Sequence, residues 1–282
     1  MKVLRTIDEL RQWRASAAGR VGLIPTMGAL HAGHLAHLAA IRAEAHRVVV
    51  SIFVNPTQFG PSEDFARYPR VLEVDLAKCE AAGADAVFAP EAQEVYPPGV
   101  PAVEMDVPAV SGTLEGAVRP GHFPGVCRVV LKLLNLVQPQ VVSFGQKDYQ
   151  QLCVVRAMIE DLNLPIDVIE VPTMREDDGL AMSSRNRYLD ETTRKHGLGL
   201  SKALRLATKL AADGETDPVV LESAMRDVML AHHVAVDYAA VRHGRSLAEL
   251  DRVQLGESVA LVAGRVGEVR LIDNLPLDGV AG

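Results

Sequence analysis

Residues 47–54 read RVVVSIFV, and this stretch decides the fold class. Apart from Arg47 at its start and Ser51 within it, every residue is apolar, so no alternation of polar and apolar residues marks an exposed face. A strand that is apolar on both faces is typical of the centre of a parallel sheet, because helices cover both sides of such a sheet. The stretch therefore predicts a central parallel strand in an α/β protein.

Strand and helix patterns alternate on both sides of this stretch. Thr6 and Glu9 form a predicted capping box at the start of the first helix. Further strands are predicted at 21–26, 84–89, 141–145 and 166–171, and helices at 7–18, 33–46, 71–82, 125–137 and 148–163. Alternation of this kind indicates right-handed βαβ units and a doubly wound, Rossmann-like parallel sheet. In such sheets ligands bind beyond the carboxyl ends of the strands.

The pattern changes after residue 172. Residues 173–186 are polar and resemble a loop. Two helices at 191–212 and 217–232 and three strands at 234–242, 258–263 and 268–274 are predicted to follow. We expect two domains, at 1–172 and 173–282, of which the second is a smaller α+β domain.

Composition excludes several classes of function. The chain of 282 residues is 48% hydrophobic and 23% charged, which is ordinary for a globular protein. A net charge of −7 and only 4% aromatic residues argue against a nucleic acid or an anionic membrane as a partner. Three cysteines without a CxxC motif predict neither disulfides nor a cysteine metal site, and the N-terminus lacks an apolar signal core. A cytoplasmic location is therefore expected.

The segment PTMGALHAGH, residues 25–34, joins the strand at 21–26 to the next helix. Exposed N–H groups and the helix dipole favour anions at such a position. The segment matches neither GxGxxG nor the Walker pattern, so its informative part is His-x-Gly-His, with His31 and His34 facing one ligand. His37 and His46 have no such context and are interpreted as surface or helix-packing residues. A zinc site at His31, His34 and His37 is the weaker alternative, because no acidic ligand lies nearby in sequence.

Two more segments are predicted to bind phosphate. AMSSRN, residues 181–186, combines two hydroxyls with a guanidinium, which can bind phosphate bidentately. FGQKDYQQ, residues 144–151, places Lys147 where a strand ends and a helix begins. All three segments are expected at the same edge of the sheet. This favours one shared anion-binding site over three loops with no common function.

These segments resemble a known family. HxGH after the first sheet strand and a Ser-rich basic loop after the last are similar to the HxGH nucleotidyltransferase superfamily, which includes class I aminoacyl-tRNA synthetases. Five segments together resemble the pantoate–β-alanine ligase (pantothenate synthetase) family, in order and spacing, from about residue 3 to 275. They are PTMGALHAGH, VVVSIFVNPTQFGPSEDFARYPR, EGAVRPGHFPGV, FGQKDYQQ and DGLAMSSRN. Gln146 departs from the pattern, since family members often have Glu there.

The resemblance implies an ATP-dependent condensation of pantoate with β-alanine. Pantoate attacks the α-phosphate of MgATP to give pantoyl adenylate and pyrophosphate, and the amine of β-alanine then displaces AMP to give pantothenate, a coenzyme A precursor. ATP is a substrate, Mg²⁺ accompanies it, and a homodimer is implied. The Rossmann-like domain would bind nucleotide and pantoate, and the C-terminal domain would carry the phosphate clamp.

The resemblance also assigns residue roles. The catalytic set is His31, His34, Lys147, Ser183, Ser184 and Arg185. The ATP-binding set is Met27, Gly28, Ala29, Leu30, His31, Ala32, Gly33, His34, Gly145, Gln146, Lys147, Asp148, Met174, Met182, Ser183, Ser184 and Arg185. Gln58 and Gln151 match the amides that hold pantoate, and Gln58 also matches the β-alanine site. No metal ligand is assigned.

Further residues carry weaker expectations. Asn55, Tyr68 and Arg119 lie in matching segments, and Pro25, Val129 and Val130 would either accept the gem-dimethyl group of pantoate or pack in the core. Asp75 would either face Mg²⁺ or lie on a helix surface, and the latter is favoured. Residues 173–186 are expected to be mobile without ATP. Rival interpretations are an enzyme that adenylylates a phosphate, a tRNA-binding protein and a non-catalytic nucleotide-binding protein.

Overall fold

The computed structural model describes residues 1–61 and 63–278, which form two compact units. Unit 1 comprises Met1–Gly145 and Val154–Pro172. Unit 2 comprises Gln146–Cys153 and Thr173–Gly282, of which the structure describes residues up to 278. The short segment Gln146–Cys153, which carries Lys147, therefore groups with the C-terminal part of the chain.

Strands and helices alternate through most of the chain. The strands are β1 (Lys2–Leu4), β2 (Val21–Thr26), β3 (Arg47–Ile52), β4 (Ala86–Phe88), β5 (Val141–Gly145), β6 (Asp167–Val171), β7 (Ala235–His243), β8 (Ser258–Val266) and β9 (Val269–Pro276). The helices are α1 (Ile7–Ser16), α2 (Ala32–Arg42), α3 (Leu72–Ala81), α4 (Ala92–Val95), α5 (Pro108–Ser111), α6 (Glu115–Val118), α7 (His122–Val137), α8 (Tyr149–Asp161), α9 (Glu191–Ala212) and α10 (Pro218–Ala231).

Unit 1 is built on a six-stranded sheet in the order β1-β4-β3-β2-β5-β6, with every neighbouring pair parallel. The predicted central strand is confirmed: β3 lies between β4 and β2, and Val48, Val49 and Val50 are at most 1% exposed. The chain proceeds outward from β2 to β3 and then reverses to β5 on the other side. The gap between the carboxyl ends of β2 and β5 is therefore the switch point at which such sheets bind ligands.

Unit 2 contains the antiparallel sheet β7-β8-β9, with α9 and α10 packed against it. The two helices and three strands agree with the predicted α+β class. Their core includes Leu204, Leu221, Met225 and Val262, all fully buried. The smaller C-terminal part thus has an apolar core of its own.

Several elements differ from the sequence-based prediction. β1 was not predicted, because three residues are too few to show a strand pattern, and it adds to the sheet as an edge strand beside β4. The short helices α4, α5 and α6 were also missed. α2 ends at Arg42 rather than near residue 46, whereas α7 begins at His122 rather than at residue 125. Among the described residues no helix is long and apolar enough to cross a membrane.

Candidate active site

A buried carboxylate from α3 holds the loop that follows β2. Asp75 is 1% exposed, and its Oδ2 and Oδ1 accept hydrogen bonds from the backbone N–H groups of Ala29 and Leu30 at 2.7 and 2.8 Å. The expectation that Asp75 lies on a helix surface is wrong. The helix turns this side chain inward because its lone pairs satisfy two amides that would otherwise be buried without partners.

The same loop is fixed from other directions. Lys78, one turn along α3 from Asp75, donates from Nζ to the Leu30 carbonyl at 2.6 Å. Gly28 has a φ of +83°, and a Cβ there would lie 2.9 Å from Asp75 Oδ2, so only glycine fits. Ala29 also has a positive φ, of 51°. The backbone of residues 28–30 is thus held in a conformation that the chain does not adopt unaided.

His31 and His34 stand together at the start of α2. Their ring centroids are 4.1 Å apart, and His34 Nδ1 accepts a hydrogen bond from the His31 backbone N–H at 3.2 Å. A neutral imidazole that accepts at Nδ1 carries its proton on Nε2. In this arrangement the neutral His34 ring therefore carries its N–H donor at Nε2, which is what an anion site requires.

His37 lies further along α2 and faces β5. Its Nδ1 is 3.0 Å from the hydroxyl of the buried Ser143. A Cβ at Gly145 would lie 3.2 Å from His37 Nε2, so the ring closely approaches the last residue of β5. His37 thus packs at the switch point, in agreement with a packing role. Gly145, assigned to the ATP site, is the residue that leaves room for it.

A chain of hydrogen bonds sets the orientation of the Gln58 side chain. The Tyr96 hydroxyl donates to Asn55 Oδ1 at 2.9 Å, and Asn55 Nδ2 donates to Gln58 Oε1 at 3.0 Å. Burial raises the pKa of Tyr96, which keeps the hydroxyl protonated as a donor. Because the acceptor end of the Gln58 amide is engaged, its Nε2 points the other way and reaches Met27 Sδ at 3.4 Å. Gln58 thus turns an N–H donor towards the loop that carries the two histidines.

Arg119 lies next to the 3-10 turn Pro56–Gln58, which is called the Gln58 turn below. It forms a bidentate ion pair with Glu63, at 2.7 and 2.8 Å, and its Nη1 lies 3.1 Å from His122 Nε2. His122 Nδ1 is 2.9 Å from the Gln58 carbonyl, which can only accept, so the proton is on Nδ1 and Nε2 accepts from Arg119. Burial and the neighbouring guanidinium lower the pKa of His122 to about 4. Arg119 is therefore engaged with protein groups around the Gln58 turn.

The candidates for the apolar part of the site are mostly buried. Val129 and Val130 on α7 are 7% and 3% exposed, and Tyr68 is 6% exposed with its ring near Phe59. Pro25 is half-buried in β2, at its carboxyl end. Both core packing and contact with a small apolar group are compatible with this burial.

In unit 2, Lys147 lies in a short 3-10 turn between β5 and α8. Its side chain is 22% exposed, and Nζ donates to Asp148 Oδ1 at 3.1 Å. Gln146 lies in the same turn, and Gln151 follows in the first turn of α8. Asn274 Nδ2 donates to the carbonyls of Gln146 and Lys147, each at 2.8 Å, so the turn is tied to β9.

Residues 173–186, called the clamp segment below, carry the other candidates of unit 2. Its two ends meet where the Met182 N–H donates to the Met174 carbonyl at 2.9 Å. Ser183 caps the following 3-10 turn by accepting from the Arg185 N–H at 3.3 Å. The amide of Asn186 donates to Glu176 Oε1 at 2.6 Å and ties the end of the segment to its middle. Ser184 and Arg185 open the 3-10 turn and are half-buried.

The structure thus groups the candidates within each unit. In unit 1 it brings the Gln58 amide to the Met27–His34 loop. In unit 2 it attaches the Lys147 turn to β9 through Asn274, and the clamp segment to β9 through Arg175, which pairs with Asp273. Among residues 1–61 and 63–278 the structure contains no group of three or more His, Cys, Asp and Glu side chains that could hold a metal ion.

Sequence reasoning missed the residues that support these candidates. Asp75, Tyr96, His122 and Asn274 act on loops 41 to 128 positions away in the chain. Their partners cannot be recognised from local spacing. The positive φ of Gly28 is the exception, since a glycine directly after a strand is a signal for a constrained turn.

The parallel sheet with the HxGH loop at its switch point, and the antiparallel sheet of unit 2, define an α/β protein with a smaller C-terminal α+β part. The comparisons with known proteins agree. The model of the family described as "Pantoate-beta-alanine ligase" matches residues 2–276. The chain therefore belongs to the pantoate–β-alanine ligase family, whose members are ligases.

Individual relatives cover nearly the whole chain. A pantothenate synthetase of Chloroflexus aurantiacus is 52% identical over 280 residues, 99% of each chain. The crystal structure of pantothenate synthetase from Thermus thermophilus is similar with a TM-score of 0.92 and 47% identity, covering 98% of this chain and 99% of that one. Pantoate–β-alanine ligase from Francisella tularensis, described as complexed with "Beta-gamma ATP" and β-alanine, has a TM-score of 0.83 at 30% identity over 100% of both chains.

Proposed function

We propose that this protein condenses pantoate with β-alanine at the expense of ATP, through pantoyl adenylate, and releases AMP and pyrophosphate. The observation that carries the proposal is the Gln58 amide held against the HxGH loop, in a chain that matches the ligase family over residues 2–276. An acid-binding donor beside a phosphate-binding loop is what adenylation of a carboxylate needs. Adenylation replaces a poor leaving group by AMP, which the amine can displace.

In unit 1 the HxGH loop receives the phosphates. His34 donates from Nε2 to a phosphate oxygen, and His31 adds a second imidazole beside it. The backbone of Met27, Gly28, Ala29 and Leu30, continued by Ala32 and Gly33 at the start of α2, lines the nucleotide. Asp75 holds this backbone before the nucleotide arrives, so little reorganisation is needed during the reaction.

In unit 2 the cations act on the rest of the triphosphate. Lys147 offsets negative charge on the α-phosphate as the pantoate oxygen approaches, while Ser183, Ser184 and Arg185 bind the β- and γ-phosphates. Gly145, Gln146, Asp148, Met174 and Met182 contact the nucleoside part. Closure of the clamp segment over bound ATP, and its mobility without ATP, stay predictions.

Gln58 and Gln151 bind pantoate, and Gln58 also contacts β-alanine. The orientation of Gln58 supports this role, because Asn55 occupies its acceptor and Nε2, which reaches Met27 Sδ with one N–H, has a second N–H for a carboxylate or hydroxyl oxygen. Amides suit a hydroxylated acid because they recognise it without adding net charge. An enzyme that adenylylates a phosphate would place cations here instead.

Mg²⁺ would accompany the nucleotide, held mainly by phosphate oxygens. The donor set fits an ion that is held by the substrate: both Asp75 oxygens already accept from backbone amides, and Asp148 Oδ1 accepts from Lys147 Nζ. Mg²⁺ commonly binds through substrate phosphates and few carboxylates, and it neutralises phosphate charge. A homodimer and a cytoplasmic location stay predictions of the sequence and its family.

Product analysis tests the proposed function. With ATP, Mg²⁺, pantoate and β-alanine present, we expect one AMP and one pyrophosphate for each pantothenate formed. Omission of pantoate should abolish AMP release, because the acid is the adenylate acceptor. Formation of ADP would contradict the adenylate mechanism, and AMP transfer to a phosphorylated acceptor would favour the rival nucleotidyltransferase class.

The Gln58→Ala variant should use pantoate poorly while its ATP affinity changes little. Loss of a hydrogen bond to a carboxylate typically costs about 1.5–3 kcal/mol, roughly a 10- to 150-fold rise in the KM for pantoate. Gln58→Glu should behave similarly, because it keeps the acceptor for Asn55 but turns an anionic oxygen towards the acid. Steady-state kinetics with each substrate varied in turn measures both effects.

The exposed Gln93 on α4 provides the matched control, and Gln93→Ala should leave both constants unchanged. A Gln58→Ala enzyme that lost ATP affinity while its pantoate KM held steady would move Gln58 out of the acid pocket.

A further inference from the structure

The side chain of Asn274, on β9, bridges two successive backbone carbonyls. Asn274 is 3% exposed, and its Nδ2 donates to the carbonyls of Gln146 and Lys147 at 2.8 Å each. These carbonyls flank the Lys147 Cα. Holding both of them therefore restrains φ and ψ of Lys147 and fixes the direction in which its side chain leaves the backbone.

The preceding residue holds the clamp segment. Asp273 is 4% exposed and accepts a bidentate pair from Arg175 Nη1 and Nη2 at 2.7 and 3.1 Å. Arg175 Nη1 also donates to the Gly179 carbonyl at 3.2 Å, so the guanidinium ties the tip of the segment to its start. Bidentate pairs between arginine and a carboxylate are directional as well as strong.

The two side chains form one junction. The Asn274 backbone N–H donates to Asp273 Oδ1 at 2.8 Å, and the Asn274 carbonyl accepts from Arg175 Nη2 at 3.4 Å. The antiparallel ladder pairs Asp273 with Val262 and Asn274 with Leu261, so main-chain groups already connect β9 to β8. The side chains are thus available to hold the two loops.

We infer that Asp273 and Asn274 are positioning residues for adenylate formation, Asn274 acting through Lys147 and Asp273 through Arg175 and the clamp segment. This inference rests on the proposed function, in which Lys147 and the clamp segment bind the triphosphate. One rigid strand would then set the geometry of both groups of phosphate ligands at once.

The residue types fit this role. A single amide nitrogen supplies two N–H donors, which match two carbonyl acceptors, whereas a carboxylate at Asn274 would face both carbonyls with lone pairs. At Asp273 a carboxylate is needed, because only two equivalent oxygens match the fork of Arg175. The two positions are therefore not interchangeable, and Asn274→Asp is the sharpest disruption.

Single-turnover kinetics tests the Asn274 branch. We expect Asn274→Ala to slow pantoyl adenylate formation by about tenfold or more, since small misplacements of a reacting group have effects of this order. The dissociation constant of ATP should change by less than about threefold, and so should the rate at which supplied pantoyl adenylate reacts with β-alanine. Both are expected because Lys147 acts on the phosphorus transition state of the first step. Asn274→Asp should be slower still, and Asn274→Ser, which keeps one donor, should be intermediate.

Ser258→Ala is the matched control for lost stability. Ser258, on the adjoining β8, is 3% exposed, and its Oγ accepts from the Gln254 N–H at 2.9 Å, a contact that involves neither the Lys147 turn nor the clamp segment. This variant should unfold more easily without any change in the two half-reactions. Arg175→Lys tests the Asp273 branch at a partly exposed side chain, and we expect at least about a fivefold loss in adenylate formation, because lysine cannot form the bidentate pair.

A double-mutant cycle separates positioning from general damage. If Asn274 acts through Lys147, the Lys147→Ala/Asn274→Ala enzyme should be no more than about twofold slower than Lys147→Ala alone. Rate losses that multiply, or a wild-type rate in Asn274→Ala, would overturn the inference. A wild-type enzyme that formed no adenylate would instead refute the proposed function, before any variant is compared.

Discussion

Lys147→Ala should form pantoyl adenylate at least about a hundredfold more slowly than the wild type. Removal of one preorganised group that stabilises transition-state charge typically costs about 10²–10³ in rate, or roughly 2.7–4 kcal/mol. The second half-reaction has no pentavalent phosphorus, so supplied pantoyl adenylate should react with β-alanine at a much less impaired rate. Single-turnover measurements of both half-reactions with the purified variant test whether the loss is confined to adenylate formation.

The variant should fold normally. Lys147 pairs with Asp148, whose side chain is 49% exposed, so loss of the ammonium group strands no buried charge. The exposed Lys209 on α9 is the matched control, and Lys209→Ala should leave both half-reactions unchanged. Adenylate formation by Lys147→Ala within a few-fold of the wild type would remove Lys147 from the mechanism.

The fold could be predicted from the sequence wherever the hydropathy pattern of a segment reflects its burial in the structure. RVVVSIFV predicts the central strand β3, because a strand covered on both faces does not alternate polar and apolar residues. The HxGH loop could likewise be placed at the switch point, because it directly follows a predicted strand. Three-residue β1 could not be predicted, since its strand character comes from pairing with β4 rather than from its own sequence.

The supports of the site could not be predicted, because each depends on a contact distant in sequence. Asp75 follows the exposed Val74 and Glu73 on an ordinary amphipathic helix, and its burial is set by amides 45 and 46 residues away. Asn274 reaches Lys147 across 127 residues. The sequence around a buried polar residue with a distant partner looks the same as the sequence around a solvent-exposed one. Hydrophobic periodicity therefore assigns both residues to the surface.

Asp75→Asn should reduce the overall rate by about a hundredfold or more, an effect second only to that of Lys147→Ala. An amide offers one acceptor where the carboxylate offers two, and its NH₂ group would face the N–H of either Ala29 or Leu30. An unsatisfied buried donor costs about 1–3 kcal/mol, which the loop can avoid only by moving. Displacement of the HxGH loop by about 1 Å is enough for a hundredfold loss.

Two controls distinguish displacement of the HxGH loop from general destabilisation of the protein and from loss of a metal ligand. Glu73→Gln makes the same change of charge on the same helix at an exposed position, and it should leave both activity and unfolding midpoint unchanged. Because both Asp75 oxygens accept from amides, excess Mg²⁺ should not rescue Asp75→Asn. The KM for ATP should rise together with the fall in kcat, since the displaced loop binds the phosphates in the ground state and in the transition state. Full rescue by Mg²⁺ would make Asp75 a metal ligand, and a folded variant with wild-type kinetics would show that the loop holds its shape without the carboxylate.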